Sequence, residues 1–563
     1  MGDFMEERIS TQILKRPDNC FNRAVYKSMG YSDEELARPM IGVANTWSEL
    51  VPGSYNLRAL AEKVKQGIYA AGGTPFEFGV TGCCDGTGQG NEGMKFMLPS
   101  RELIANDVEV MIRAHSLDGV VLLGSCDKIV PGLMMVAARM DIPAILLPGG
   151  PMLGGPVFDG RKSDLTTMSE GCGMLKAGKI SQQTLYAMEN KCGPTCGSCS
   201  FYGTANTMCC LAEALGLTLT GSALVPAVYA ERTRIAFETG KKIVELVNRD
   251  IRTGQIINED SLKNAIAVLN ATGGSTNAVM HLTAVARELG IESERMMELF
   301  DTMNKQVPLV AKVNPASKYN MEDFYEAGGI PQVMREIKSV LNLNVMTVTG
   351  KTLGENLEAY PWESPDRNII KTMDEPFAAF GGVAILRGNL APEGCVTKPS
   401  AIDPAMHVFS GTARVFNSEE EAEEVILSGG INPGDVLVIR YEGPKGGPGM
   451  REMYKAMKYL YGMGLAKQTA IITDGRFSGT NNGCFVGHIS PEAAEGGVIA
   501  LVQDNDKITI DIPGQTVTLH VSEEILALRR EGWKRPVQKY TKGYLALYEK
   551  CAASASRGAG LEL

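Results

Sequence analysis

Apolar and polar positions follow two different rhythms along this 563-residue chain. In the first part, short unbroken apolar runs are each followed by a longer stretch at helical spacing. The run Gly119–Gly124 (GVVLLG) leads into a Cys-Asp-Lys turn, then into Met134–Met140 at helical spacing, then into a second run, Ala144–Pro148. A strand that is apolar at every position is buried on both faces, and two such strands joined through a helix lie parallel, so the pattern predicts a largely parallel, buried sheet. From about Ser181 to Leu341 the pattern is mostly helical with charged faces, as around Lys241–Arg249.

Near Pro361–Asp374 the rhythm changes. Short apolar runs separated by glycine-rich turns follow at Val383–Leu386, Val436–Ile439 and Ala470–Thr473, and Ile508–Ile512 with Thr516–Val521 alternate like a small β unit. The expected division is an α/β domain over 1–370 and a smaller β-rich domain over 371–563. Small, polar residues from Ser554 to Leu563 predict a frayed end.

Composition narrows the class. Hydrophobic residues make up 44% and charged residues 21%, ordinary values for a soluble globular protein. With 55 basic against 65 acidic residues and a net charge of −10, nothing points to a nucleic-acid partner or a membrane surface. The start, MGDFMEERIS, lacks the apolar core of a secretory signal, and no apolar stretch is long enough to span a bilayer, so a cytoplasmic location is expected. Thirteen cysteines in a reducing compartment argue against a disulfide framework. Cys209-Cys210, on a predicted helix, reads as core, whereas clustered cysteines at turns need a chemical reason.

Five motifs supply candidate chemistry. Gly124-Ser125-Cys126-Asp127-Lys128 directly follows a buried strand, where α/β proteins place ligands, and offers a soft thiolate, a hard carboxylate and an amine. In Cys192-Gly193-Pro194-Thr195-Cys196-Gly197-Ser198-Cys199, the spacing and glycines let thiolates converge on a metal, although no second pair completes a zinc site. Thr81-Gly82-Cys83-Cys84-Asp85-Gly86 runs into a literal GxGxxG at Gly88–Gly93, but the preceding segment is short and polar-ended, so Asp85 as a hard metal ligand is the better reading than a dinucleotide fingerprint. The turn-rich stretch from Arg440 to Gly449 follows the run VLVIR, lacks the phosphate-loop order, and is expected to fix Glu442 at a strand end. Thr473-Asp474-Gly475-Arg476-Phe477-Ser478-Gly479 is not a GxSxG elbow, and His488 nearby has no evident paired acid for a triad.

Taken together, GSCDK, PTCGSC, GGSTNAVMHL, RYEGPKGGPGM and TDGRFSGTNNG followed by GHISPEAAEGG resemble the dihydroxy-acid dehydratase, sugar-acid dehydratase and phosphogluconate dehydratase family, along nearly the whole chain. The resemblance implies an iron–sulfur- and magnesium-dependent hydro-lyase that converts a 2,3-dihydroxy carboxylic acid to a 2-keto acid. It implies Mg2+ held by Asp85, Asp127, carbamylated Lys128 and Glu442, cluster ligation by Cys126 and Cys199, and Ser478 as the base. It also implies a C-terminal domain resembling a β-barrel, and a homodimer or homotetramer.

One position departs from the pattern. Many members have a cysteine after the proline of the early Trp-containing motif; in Asn45-Thr46-Trp47-Ser48-Glu49-Leu50-Val51-Pro52-Gly53 that slot is glycine. Cys84 and Cys196 are the alternatives for a third thiolate, with Cys84 favoured, and the cluster is 2Fe–2S or 4Fe–4S. The expected substrate is the branched-chain dihydroxy acid of amino-acid biosynthesis. An aldonate is the alternative, and an iron–sulfur redox sensor without catalysis is the reading from another class.

Overall fold

The computed structural model describes residues 8–158, 160–176, 178–361, 364–479 and 483–562. Four strands, β1 (Met40–Asn45), β2 (Thr74–Gly79), β3 (Gly119–Gly124) and β4 (Ala144–Pro148), form one all-parallel sheet in the order β2-β1-β3-β4. Every residue of β1, β3 and β4 is buried, which is why their sequences carry no alternation. The edge strand β2 alone ends in partly exposed positions. The connections are α1 (Leu57–Ala70), α2 (Met94–His115) and α3 (Ile129–Met140). A helical layer follows, including α4 (Thr204–Ala214), α5 (Ala230–Arg249) and α6 (Asn277–Glu288). Cys209 and Cys210 are buried in α4 among these helices.

The C-terminal part closes an eight-stranded barrel. Its strands are β5 (Ala384–Gly388), β6 (Ala391–Thr397), β7 (Val408–Phe416), β8 (Asp435–Ile439), β9 (Ala470–Thr473), β10 (Cys484–Ser490), β11 (Lys507–Asp511) and β12 (Thr516–Leu519). Their order around the barrel is β8-β9-β10-β6-β5-β12-β11-β7, with β7 pairing β8 to close it. Successive side chains of a strand face opposite ways. Val436 and Val438 accordingly join the inner core with Ile472, Val486 and Ile510, while Leu437 and Ile439 pack outward against α7 (Glu419–Leu427) and α8 (Lys455–Gly462). The barrel thus buries both faces of β8 and β9, and their apolar runs look like those of the parallel sheet.

The chain end is not frayed. Through residue 562 it folds back under α2: the buried Arg101 guanidinium donates to Gly558 O at 2.8 Å, and Tyr548 Oη donates to Ala559 O at 2.7 Å. Ala555 and Ala559 pack with Leu98 of α2, Met280 of α6 and Met450. Small residues here permit close packing rather than looseness. No described helix is long and apolar enough to cross a membrane.

Candidate active site

Two loops of the parallel sheet supply the first half of the site. β2 leads to Cys83-Cys84-Asp85 and β3 to Ser125-Cys126-Asp127-Lys128; both emerge at the carboxyl end of the sheet on either side of β1. Cys126 has φ +82, a conformation that non-glycine residues adopt at a cost of about 1–3 kcal/mol and that clusters at functional sites. The amide of Ala205, at the start of α4, donates to Asp127 Oδ1 at 3.0 Å and ties the segment carrying Cys199 to the second loop.

The second half arrives from beyond the barrel. After β8 the glycine-rich turn presses onto α2. Gly449 has φ +86, and a Cβ there would run into Lys95 O, so only glycine allows this approach. The chain then forms a two-residue strand, Glu452–Met453, parallel to Arg476–Phe477, with Glu452 opposite Arg476. That ribbon carries Glu452 to the acids of the first half, and Ser478 follows directly from it, its amide donating to Met453 O at 3.1 Å.

One carboxylate oxygen each from Asp85, Asp127 and Glu452 lies within 4.8 Å of the other two. Lys128 Nζ, buried among them, donates to Asp85 Oδ2 at 2.7 Å and to Asp127 Oδ2 at 3.4 Å, and lies 3.8 Å from Glu452 Oε2. The buried Arg476 pairs with Glu452, reaches Asp85 Oδ2 at 3.4 Å and donates to Met450 O at 2.7 Å. Asn277, at the start of α6, donates to Glu452 Oε2 at 3.1 Å. Burial raises the Asp127 carboxyl, and the adjacent Asp85 and Glu452 add to the effect against Lys128, leaving it at about 6. For Asp85, burial is outweighed by the Lys128 ammonium and the Arg476 guanidinium, which together hold it below its ordinary value.

Glu442, which the resemblance places among the ligands, does not join this group. Its amide is pinned by Asp474, and its Oε1 accepts from Glu419 N at the start of α7 (3.0 Å) and from Arg451 Nη2 (2.6 Å). A carboxylate at a helix start facing an arginine is already satisfied. Glu452 stands where Glu442 was expected. Sequence reasoning missed Glu452, which lies just past the same glycine-rich turn.

The acids share a cavity of ≈ 460 Å³ with the thiols of Cys84, Cys126 and Cys199 and with Ser478. Pro52, Leu165 and Phe201 add apolar wall, and Thr166, Ser169 and Tyr454 add hydroxyls. Cys196 does not line it. His488 is buried, with neither ring nitrogen bonded among the described residues; burial and Arg476 push it down to about 3, so it stays neutral. It does not form a triad with Ser478.

The donor set suits the implied groups. Asp85 Oδ1 is buried without a hydrogen-bond partner among the described residues, an expensive state that a cation would relieve, and carboxylate oxygens are magnesium's preferred donors. Thiols on one wall of the same cavity suit a cluster. Glu452, Arg476 and Asn277 had no role assigned from sequence, although all three lie within or beside the quoted motifs.

The dihydroxy-acid/6-phosphogluconate dehydratase N-terminal model matches residues 38–356, and the corresponding C-terminal model matches 368–559. Similar curated proteins named dihydroxy-acid dehydratase include those of Caldicellulosiruptor bescii, 51% identical over 98% of this chain and 100% of the relative, and Caldanaerobacter subterraneus, 50% identical over 98% of both. The protein of that name from Pyrococcus furiosus is 50% identical over 98% of this chain and 99% of its own.

Proposed function

The chain belongs to the dihydroxy-acid/6-phosphogluconate dehydratase family and is a dehydratase; on that premise we propose that it removes water across C2 and C3 of a 2,3-dihydroxy carboxylic acid to give a 2-keto acid. The observation that carries the proposal is the shared cavity, in which Ser478 faces three converging carboxylates and a wall of thiols.

Asp85, Asp127 and Glu452 would hold magnesium, with Lys128 as a further oxygen donor once carbamylated at Nζ. Without that change its ammonium competes for the same carboxylates at 2.7–3.8 Å. Cys126 and Cys199 would hold an iron–sulfur cluster. When bound, these groups supply Lewis acidity that stabilises charge developing on the C2 oxygen and eases departure of the C3 hydroxide, a poor leaving group in water. Ser478 Oγ takes the C2 proton. Arg476 and Asn277 hold Glu452 in place, and Arg476 also reaches Asp85, so the barrel's ribbon and the sheet's loop keep one geometry through a buried guanidinium. Leu165 and Phe201 give the cavity an apolar stretch that suits a branched alkyl chain, and the similarity to proteins named dihydroxy-acid dehydratase supports that substrate over an aldonate.

Ser478→Ala is the direct test. It is expected to keep the visible absorbance of the cluster and lose about 10²–10⁴-fold in turnover, the usual worth of a positioned base. Wild-type turnover in the variant would remove Ser478 from that role. Offering 2,3-dihydroxyisovalerate beside several aldonates and trapping keto acid tests the substrate, and faster turnover of an aldonate would transfer the assignment to sugar acids.

A further inference from the structure

Two Cys-Asp pairs, Cys84-Asp85 and Cys126-Asp127, stand at the ends of β2 and β3, the strands that flank β1. Cys84 is extended (φ −113, ψ 117), and neighbouring side chains on extended backbone point to opposite sides. The first pair therefore sends its carboxylate and its thiol different ways. In the second pair the left-handed backbone of Cys126 (φ +82) turns that thiol to the same cavity, so each pair gives a carboxylate to the cation group and a thiol to the cavity wall. The three thiols of that wall are mutual neighbours: those of Cys84 and Cys126 share a hydrogen bond, and each lies within electrostatic reach of Cys199.

The β1 loop contributes no thiol. At Gly53 a Cβ would lie 2.5 Å from Cys126 Sγ and 3.3 Å from Ser125 Cβ. The sulfur of Cys126 thus fills the room that a side chain at position 53 needs. Cys196, the other candidate, is absent from the cavity wall.

We propose that the third cluster thiolate of this chain is Cys84, supplied by the β2 loop, with Gly53 leaving the β1 loop free of a ligand. Each sheet loop then serves both prosthetic groups through adjacent residues. A shift of the β2 loop would then move a ligand of the cluster and a ligand of the cation together. This inference rests on the dehydratase reading above, because it needs the cluster that reading assigns.

The test is anaerobic reconstitution of the full chain, followed by measurement of iron and acid-labile sulfide per chain and of the visible spectrum. Cys84→Ser is expected to fall to the level of Cys126→Ser and Cys199→Ser, while Cys196→Ser matches wild type. A Cys84→Ser protein with wild-type iron, sulfide and spectrum overturns the proposal, as does cluster loss confined to Cys196→Ser. A second measurement needs no variant. Alkylation of the loaded wild-type protein, read by mass spectrometry, should leave Cys84, Cys126 and Cys199 unlabelled and Cys196 labelled, and chelation beforehand should expose all of them. Labelling of Cys84 in the loaded protein overturns the assignment. Wild type that takes up no iron or sulfide overturns the dehydratase reading itself, an outcome distinct from the others.

Discussion

The two halves of the site are built differently. In the parallel sheet the proposed site residues lie in loops directly after strand ends: Cys126, Asp127 and Lys128 follow β3 with one residue between, and Cys84 and Asp85 follow β2 with four between. The ends of parallel strands converge, so proximity in sequence to a strand end is proximity to the site. In the barrel half the strand end is occupied by Glu442, which faces a helix start and an arginine, and the acid that reaches the site lies beyond a long turn on an accessory ribbon. Where topology delivers a ligand, the motif names it; where a loop delivers it, the motif names only a neighbourhood.

The largest effect expected from breaking this comparison separates the two glutamates. Glu452→Gln removes a donor from the cation group and is expected to lower kcat by about 10²–10³, the cost of losing one preorganised charge-stabilising group, and to raise the magnesium needed for half activity. Glu442→Gln should leave the magnesium requirement unchanged and cost about 1–3 kcal/mol of stability, because Arg451 loses a charged partner while keeping Glu420. Magnesium titrations of activity beside thermal unfolding check both. A shifted magnesium requirement in Glu442→Gln with none in Glu452→Gln would restore the strand-end ligand.

Arg476 joins the halves, so its removal sharpens the comparison from the other side. Its side chain is fully buried between Glu452 and Asp85. Arg476→Met leaves Asp85 and Glu452, the two acids it bridges, with Lys128 as the remaining cation beside them, and breaking a buried pair in this way costs about 3–5 kcal/mol. Magnesium bound as proposed would substitute for the missing charge, so the rise in Tm on adding magnesium should be larger in Arg476→Met than in wild type. Equal rises would mean that the cation and the guanidinium do not act on the same acids.

Legibility in the sequence follows the same division. The strands at 119–124 and 144–148 were readable because burial on both faces makes a run uniformly apolar, and β8 and β9 for the same reason. Asp85, Asp127 and Lys128 come together as their strand-end positions suggest. Glu452 carried no signal that set it beside Asp85 and Asp127, because the groups that hold Glu442 away, Glu419 N and Arg451, and those that hold Glu452, Asn277 and Arg476, act through the fold and not through the motif. Arg476 and Asn277 were opaque since a buried arginine or asparagine has no periodic signature and acts through partners distant in sequence. The C-terminal segment misled because small residues signal looseness in isolation yet permit close packing when a helix and a buried guanidinium wait for them.

The smallest expected effect concerns the turn that carries the barrel's contribution. Asp474 accepts from the amides of Tyr441, Glu442 and Ala493, and Glu492 accepts from those of Lys445 and Gly446, so two buried carboxyls hold the two ends of the glycine-rich turn. Burial, reinforced by their mutual repulsion in the case of Glu492, raises Asp474 to about 6 and Glu492 to about 8. Free carboxyls titrate near 4, so between about pH 4.5 and 8 the folded chain holds a proton that the unfolded chain has released. With the folded values raised, this contribution is fully present at low pH and is lost as pH climbs through them, so stability falls by up to about 1.4 kcal/mol per pH unit per group. Glu492→Gln cannot titrate and should flatten the decline between pH 6 and 8, read as urea midpoints at fixed ionic strength. Burial also raises Glu213 and Glu419 to about 7, so a slope that survives in Glu492→Gln belongs to them, with Asp474 adding to it at the low end. An unchanged slope across pH 6–8 in the variant would show that the turn is held without a retained proton.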